Sequence, residues 1–371
     1  MTDGSVHHLY IHVPFCARRC SYCDFAISVR DDTPIDSYVD ALRLELDRQD
    51  TSAWALDTIY LGGGTPSRLG ESVGDVLRLV RGAAKIADDA EITIEANPDD
   101  VTRSAAEAWV RDGVNRVSLG SQSFDPEVLK WMHRTHSADQ IGTAFATLRE
   151  VGIRNMSLDL IFALPESLHR DWSADVDRVL ELQPEHISLY GLTVEQHTPL
   201  SRWLDRGEVV EASEERYESD FLLAHQRLGD AGFEHYEVSN FGRPGRRSRH
   251  NSSYWTGASY AGIGPSAHAF DGAVRSWNVA AYTDWDRRLH SGEVIVAESE
   301  TLTAENRLSE RVYLGLRTID GLRASDAEIQ LARPWQEAGW AEIKNGTIVL
   351  TATGFLRLDA LAASLTLAGS R

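Results

Sequence analysis

From the N-terminus to about residue 195, short β-branched or apolar runs alternate with longer stretches whose apolar residues recur at helical spacing. Runs of the first kind predict strands over residues 9–13, 58–61, 91–95, 115–119, 155–162 and 186–190. Between them, amphipathic periodicity predicts helices starting near Ile35, Ser72, Ser104, Ala138 and Asp171. Six βα units without the glycine fingerprint of a dinucleotide-binding fold predict an open, TIM-like (β/α)6 barrel of α/β class. In such a barrel the C-terminal ends of the strands face one mouth, where chemistry is carried on loops.

The pattern changes near residues 195–215, where Pro199 and Gly207 mark a connection. A helix follows over residues 213–229, then the run Tyr236-Glu237-Val238-Ser239-Asn240-Phe241 and a Gly/Pro-broken loop holding Arg243, Arg246, Arg247 and Arg249. From about Thr303 the chain reads helix (304–318), helix (324–338), a hairpin turning on Asn345-Gly346, and a last helix, the order of a small winged-helix-like unit. The expected organisation is residues 1–205 as the barrel, 206–300 as an α+β region of its own character and 301–371 as the winged unit.

Composition narrows the function. The 371 residues carry a formal charge of −19, which disfavours non-specific nucleic-acid binding, since that needs Lys and Arg to neutralise phosphates. The winged unit likewise shows no basic stripe, so a substrate lid or a protein contact is expected of it. No apolar run reaches membrane-spanning length, and the start of the chain has no basic-then-apolar leader, so the expected location is cytoplasmic with no integral membrane segment.

All three cysteines fall in His12-Val13-Pro14-Phe15-Cys16-Ala17-Arg18-Arg19-Cys20-Ser21-Tyr22-Cys23-Asp24-Phe25, directly after the first strand. An odd number of thiols in one short loop is not a disulfide framework. Three thiolates can hold three irons of an iron–sulfur cube and leave the fourth iron open; the alternative is structural zinc, with His7, His8, His12 or Asp24 completing a closed shell of four. After the second strand stands Leu61-Gly62-Gly63-Gly64-Thr65-Pro66, whose glycines let backbone amides approach a ligand. Glu95-Ala96-Asn97-Pro98 and Gly120-Ser121-Gln122-Ser123-Phe124 put polar side chains at the same mouth. Asp159, inside the apolar run Leu158-Asp159-Leu160-Ile161-Phe162, needs a partner. Each of these alone also fits a strand-end cap or a solvated residue. The basic loop fits either a solvated surface or an anchor for carboxylates.

The C-x3-C-x2-C spacing, with Tyr10-Ile11-His12-Val13-Pro14-Phe15 before it and Asp24-Phe25 after it, resembles the signature of the radical S-adenosylmethionine enzymes. Most of the chain is similar to the oxygen-independent coproporphyrinogen III oxidase group, which contains a decarboxylating enzyme and a haem-chaperone branch. The resemblance implies a [4Fe-4S] cluster on Cys16, Cys20 and Cys23, with S-adenosylmethionine chelating the open iron. It implies that Gly62, Gly63, Gly64 and Thr65 receive the amino-acid end of the cofactor, and that Glu95, Gln122, Arg134 and Asp159 contact the adenosyl part. Tyr22 is then near the adenine and Tyr10 near the methionine. His250-Asn251-Ser252-Ser253-Tyr254-Trp255 matches the HNxxYW motif of the chaperone branch, which implies haem as ligand, His250 as its axial residue, with His268 and Met132 as weaker candidates, and a haem-acceptor protein as partner. Phe25 stands where the decarboxylase has a fourth cysteine, and Cys16 comes earlier than in that enzyme; both features point to the chaperone branch, with radical decarboxylation of coproporphyrinogen III as the enzymatic alternative. Ala163 and Ser266 occupy positions where the family commonly has glycine.

Overall fold

The computed structural model describes residues 5–369. Six parallel strands form the expected open barrel: β1 (Val6–Val13), β2 (Trp54–Gly63), β3 (Lys85–Ala96), β4 (Arg116–Gln122), β5 (Met156–Phe162) and β6 (His186–Gly191). Helices α1 (Ile35–Leu46), α2 (Val73–Ala83), α3 (Arg103–Arg111), α4 (Ala138–Glu150) and α5 (Trp172–Leu182) return the chain between them. Their starts are fixed by side chains that satisfy otherwise unpaired amides: Thr102 and Asp171 cap α3 and α5, and Ser137 and Gln140 form a capping box on α4.

The middles of the strands alternate between an apolar and a polar face. Leu9, Ile11 and Val13, like Ile59, Leu61, Ile92, Ile94, Val117, Leu119 and Leu158, are buried in the outer apolar layer under the helices. The residues between them point into the barrel and are polar. Across the register, Tyr10 faces Tyr60, Tyr60 faces Thr93, Thr93 faces Arg116, Glu95 faces Ser118 and Asp159 faces Ser188. A parallel sheet covered by helices on one face and filled by polar side chains on the other has room for a polar ligand, not a second apolar core.

The sheet is longer than six strands. After α6 (Glu214–Asp230), the hairpin of β7 (Glu234–Glu237) and β8 (Asn240–Gly242) adds antiparallel to β6. Following α7 (Arg249–Trp255), β9 (Ala261–Ile263) adds parallel to β1, giving nine strands in the order β9-β1-β2-β3-β4-β5-β6-β8-β7. Residues 206–300 therefore extend both edges of the barrel sheet. A separate antiparallel sheet, β10 (His268–Phe270), β11 (Val274–Asn278) and β12 (Val296–Thr301), follows, with α8 (Tyr282–Ser291) between its last two strands.

The C-terminal unit has α9 (Ala304–Leu316), β13 (Leu322–Arg323), α10 (Asp326–Glu337), the hairpin β14 (Ala341–Lys344) and β15 (Thr347–Leu350), and α11 (Leu358–Gly369). Its turn places Asn345 at φ 52° and Gly346 at φ 78°, the left-handed pair that tightens a two-residue hairpin. No helix among the described residues is long and apolar enough to cross a membrane.

Candidate functional site

The cysteine loop is pinned at both ends. Phe15 is fully buried, edge-on to Tyr38 and Tyr282, and the pair Phe15–Cys16 hydrogen-bonds alongside Ser28–Val29. In its middle the Ser21 amide donates to the Met132 carbonyl at 3.1 Å, and the Leu200 amide donates to the Ser21 carbonyl at 2.8 Å. Met132 is thereby accounted for as buried packing beside Tyr22, Val128 and Ile161. So held, Cys16, Cys20 and Cys23 line one cavity of about 450 Å³ at the strand C-terminal ends.

Burial raises the Cys16 thiol, and raises that of Cys23 to about 11, so without a metal these two are protonated. A cation is nonetheless in place, because Arg134 Nη1 lies 3.5 Å from Cys20 Sγ. Its Nη2 donates to Asn97 Oδ1 at 2.6 Å and to the Gly120 carbonyl at 2.8 Å, while its buried Nε has no protein partner. Among the described residues no three His, Cys, Asp or Glu side chains converge on a point that would hold a single metal ion, as zinc requires. Three thiols spread around a cavity, with a guanidinium beside one of them, fit a larger polynuclear body whose outer sulfurs accept hydrogen bonds.

The glycine segment is shaped by close approach. A Cβ on Gly64 would stand 2.7 Å from the Pro14 carbonyl, and Gly63, at φ +109°, would drive one into the His12 ring at 2.5 Å. Gly63, Gly64 and Thr65 line the cavity, and Thr65 Oγ1 lies 3.3 Å from Cys16 Sγ. Gly62 does not line it; its missing Cβ makes space for the Tyr60 and Tyr10 rings. Tyr10 also lies outside, on a second cavity, sharing a 3.2 Å hydrogen bond with His12 Nδ1.

Glu95, Gln122, Arg134, Asp159 and Tyr22 all line the cysteine cavity. Glu95 accepts from the Gly63 amide at 3.0 Å and from the Tyr60 hydroxyl at 2.8 Å, so it fixes the glycine segment while burial raises it to about 7. Asp159 has the partners its apolar run required: Ser118 at 3.0 Å and Ser157 at 3.3 Å, with burial again raising its carboxyl. Gln122 sits at φ 65°, a conformation costly for any side chain and common at binding sites. Sequence reasoning missed Asn97 as the residue that aims Arg134, Tyr60 as the partner of Glu95, and Arg116. The last is 1% exposed inside the barrel, its charge favouring the ionised forms of Glu95 and Asp159.

His250 lies outside the cysteine cavity. It is 1% exposed, stacked on Tyr60, with Nδ1 2.7 Å from Thr58 Oγ1 and Nε2 2.8 Å from the Tyr254 hydroxyl; burial lowers it to about 3. Neither ring nitrogen is open to an iron in this arrangement, contrary to the expectation of an axial ligand there. The basic loop is at the opposite end of the barrel, against the starts of β3, β4 and β5. Arg247 there pairs with Glu234 and Asp320, and Arg249 with Asp89, so those two charges are already matched within the chain, while Arg243 lies over Phe233 and donates to the Pro184 carbonyl.

An open parallel barrel whose first loop carries three cysteines beside a glycine-rich second loop defines a radical S-adenosylmethionine protein, and the sequence profile of the Radical SAM superfamily matches residues 10–179. The heme chaperone HemW of Mycobacterium tuberculosis (strain ATCC 25618 / H37Rv) is 36% identical over 372 residues, covering 98% of this chain and 95% of that one. That of Escherichia coli (strain K12) is 38% identical over 264 residues, 70% and 69% of the two chains. The chain belongs to the HemW family of radical SAM proteins. Among solved structures, coproporphyrinogen III oxidase (HemN) from Escherichia coli, a radical SAM enzyme, matches with a TM-score of 0.81 over 98% of this chain and 90% of that one, at 21% identity, a likeness of fold alone.

Proposed function

We propose that this protein is a cytoplasmic haem chaperone that binds haem and passes it to an acceptor protein, and that it carries a [4Fe-4S] cluster on Cys16, Cys20 and Cys23 together with S-adenosylmethionine. The observation that supports it is the meeting of those cysteines with Gly63, Gly64, Thr65, Glu95, Gln122, Arg134 and Asp159 on one cavity, in a chain whose relatives are named haem chaperones. When bound, the cluster supplies an iron without a protein ligand at which the methionine end of the cofactor is held.

The protein's own part is geometric. Glu95 holds the Gly63 amide and so sets the backbone that receives the amino-acid end. Arg134, aimed by Asn97, places a fixed positive charge at the sulfur of Cys20, where it favours a negatively charged cluster. Asp159, on its serines, presents a carboxylate at depth for hydroxyl groups of the adenosyl part, and Tyr22 supplies an aromatic wall. The fourth-cysteine position of the decarboxylase is Phe25 here, 58% exposed at the rim.

The test is anaerobic. The cluster is reconstituted, S-adenosylmethionine and dithionite are added, and coproporphyrinogen III conversion is followed beside a haem titration by absorption. Stoichiometric haem binding without decarboxylation is expected; formation of protoporphyrinogen would replace this reading with the enzymatic one. Replacing any one of Cys16, Cys20 or Cys23 with alanine is expected to remove the cluster's visible absorption and most of the bound iron, with the far-UV spectrum unchanged.

A further inference from the structure

A second cavity, of about 440 Å³, adjoins the first and shares Gly63 and Phe25 with it. Its sides are aromatic: Tyr10, Tyr254, Tyr260 and Phe25. Tyr254 and Tyr260 meet edge to face with ring centres 4.8 Å apart. Two histidines border the space, in opposite conditions. His12 is closed, with Nδ1 on Tyr10 and Nε2 on the Ala26 carbonyl. His268 is open: its ring is exposed and no hydrogen bond is made by either nitrogen, yet the ring is fixed, stacked 5.4 Å from Trp277 across the β10–β11 pair at an interplanar angle of 19°. Burial of part of the ring, together with Arg275, lowers its pKa, which leaves a neutral imidazole at neutral pH.

An aromatic-walled cavity bordered by one fixed, uncommitted imidazole is what a planar iron tetrapyrrole takes: rings against the macrocycle and one nitrogen on the metal. Resting on the haem reading above, we propose that His268 is the protein ligand to haem iron, with Tyr254, Tyr260 and Phe25 against the macrocycle. The HNxxYW histidine is then a positioning residue. His250 does not line this cavity; its hydrogen bond to the Tyr254 hydroxyl holds that ring in the wall.

The experiment is a haem titration of the full-length, cluster-loaded protein under anaerobic conditions, read as Soret position and affinity, for wild type, His268→Ala and His250→Ala. Because His268 is exposed, its replacement is expected to leave the cluster absorption unchanged. The expected result is loss of the histidine-ligated Soret band and at least tenfold weaker haem binding in His268→Ala, with the band restored by added imidazole. His250→Ala is expected to keep the band with reduced affinity, and iron-free protoporphyrin is expected to bind wild type and His268→Ala alike. An unchanged band and affinity in His268→Ala, or loss of the band in His250→Ala alone, would overturn the placement while leaving the haem reading standing. A wild-type protein that takes up no haem would overturn both.

Discussion

Single residues here were readable where chemistry needs an unusual residue type and opaque where it needs an unusual environment. Three cysteines in one loop announce themselves, and so does an aspartate inside an apolar run. Arg116 does not: an arginine at the start of a strand looks solvated, and only the folded barrel puts it at 1% exposure among polar groups. The same limit applies to backbone. The sequence shows Ala163 and Ser266 where glycine is common, and the structure gives the reason for the glycine, because both sit in left-handed conformations at φ 56° and 62°. An L side chain costs about 1 kcal/mol there relative to glycine. Ala163→Gly is accordingly expected to stabilise the protein by about that amount, measured as a raised denaturant midpoint, and Ser266→Gly to act in the same direction.

At the level of elements, the six βα units were legible because each strand carries a short β-branched or apolar run and each helix an apolar stripe. The edge strands β7, β8 and β9 were not, since pieces of three or four residues have no period to read. What keeps one such edge in place is a buried carboxylate. Glu45 of α1 accepts from the Gly264 amide at 2.8 Å, just after β9, and from Asn278 of β11 at 2.8 Å and Trp285 of α8 at 3.0 Å. Burial raises Glu45 to about 7, above the ordinary 4.5. The unfolded chain therefore releases this proton first, so the contribution of Glu45 to stability is full below about pH 4.5 and is lost as pH rises through about 7. Urea unfolding of wild type and Glu45→Gln across that window checks the sign: the stability difference in favour of wild type is expected to shrink with rising pH. Glu45→Ala leaves the Gly264 amide and the Trp285 indole without an acceptor, Asn278 keeping the Gly264 carbonyl, and is expected to cost about 2–3 kcal/mol.

For the whole molecule, the C-terminal unit is joined to the barrel along β7. The Val238 amide donates to the Arg317 carbonyl and the Ile319 amide to the Tyr236 carbonyl, while the Arg317 guanidinium lies 3.0 Å from Glu237, which is wholly buried, and 4.1 Å over the Trp255 ring. Arg317→Ala removes the cation from that carboxylate, leaving it only the Ser239 amide and the Asn240 side chain, and is expected to destabilise the protein by about 3 kcal/mol, with Arg317→Lys intermediate; chemical denaturation monitored by tryptophan fluorescence reads both. The two cavities at the barrel mouth meet at Gly63 and Phe25, and Gly63 is also the residue whose amide Glu95 holds. Such a shared partition puts any two occupants of the chambers against the same two residues. With the cofactor and haem seated as proposed, whatever factor an occupant of one chamber applied to the affinity for a guest in the other, the guest would return the same factor.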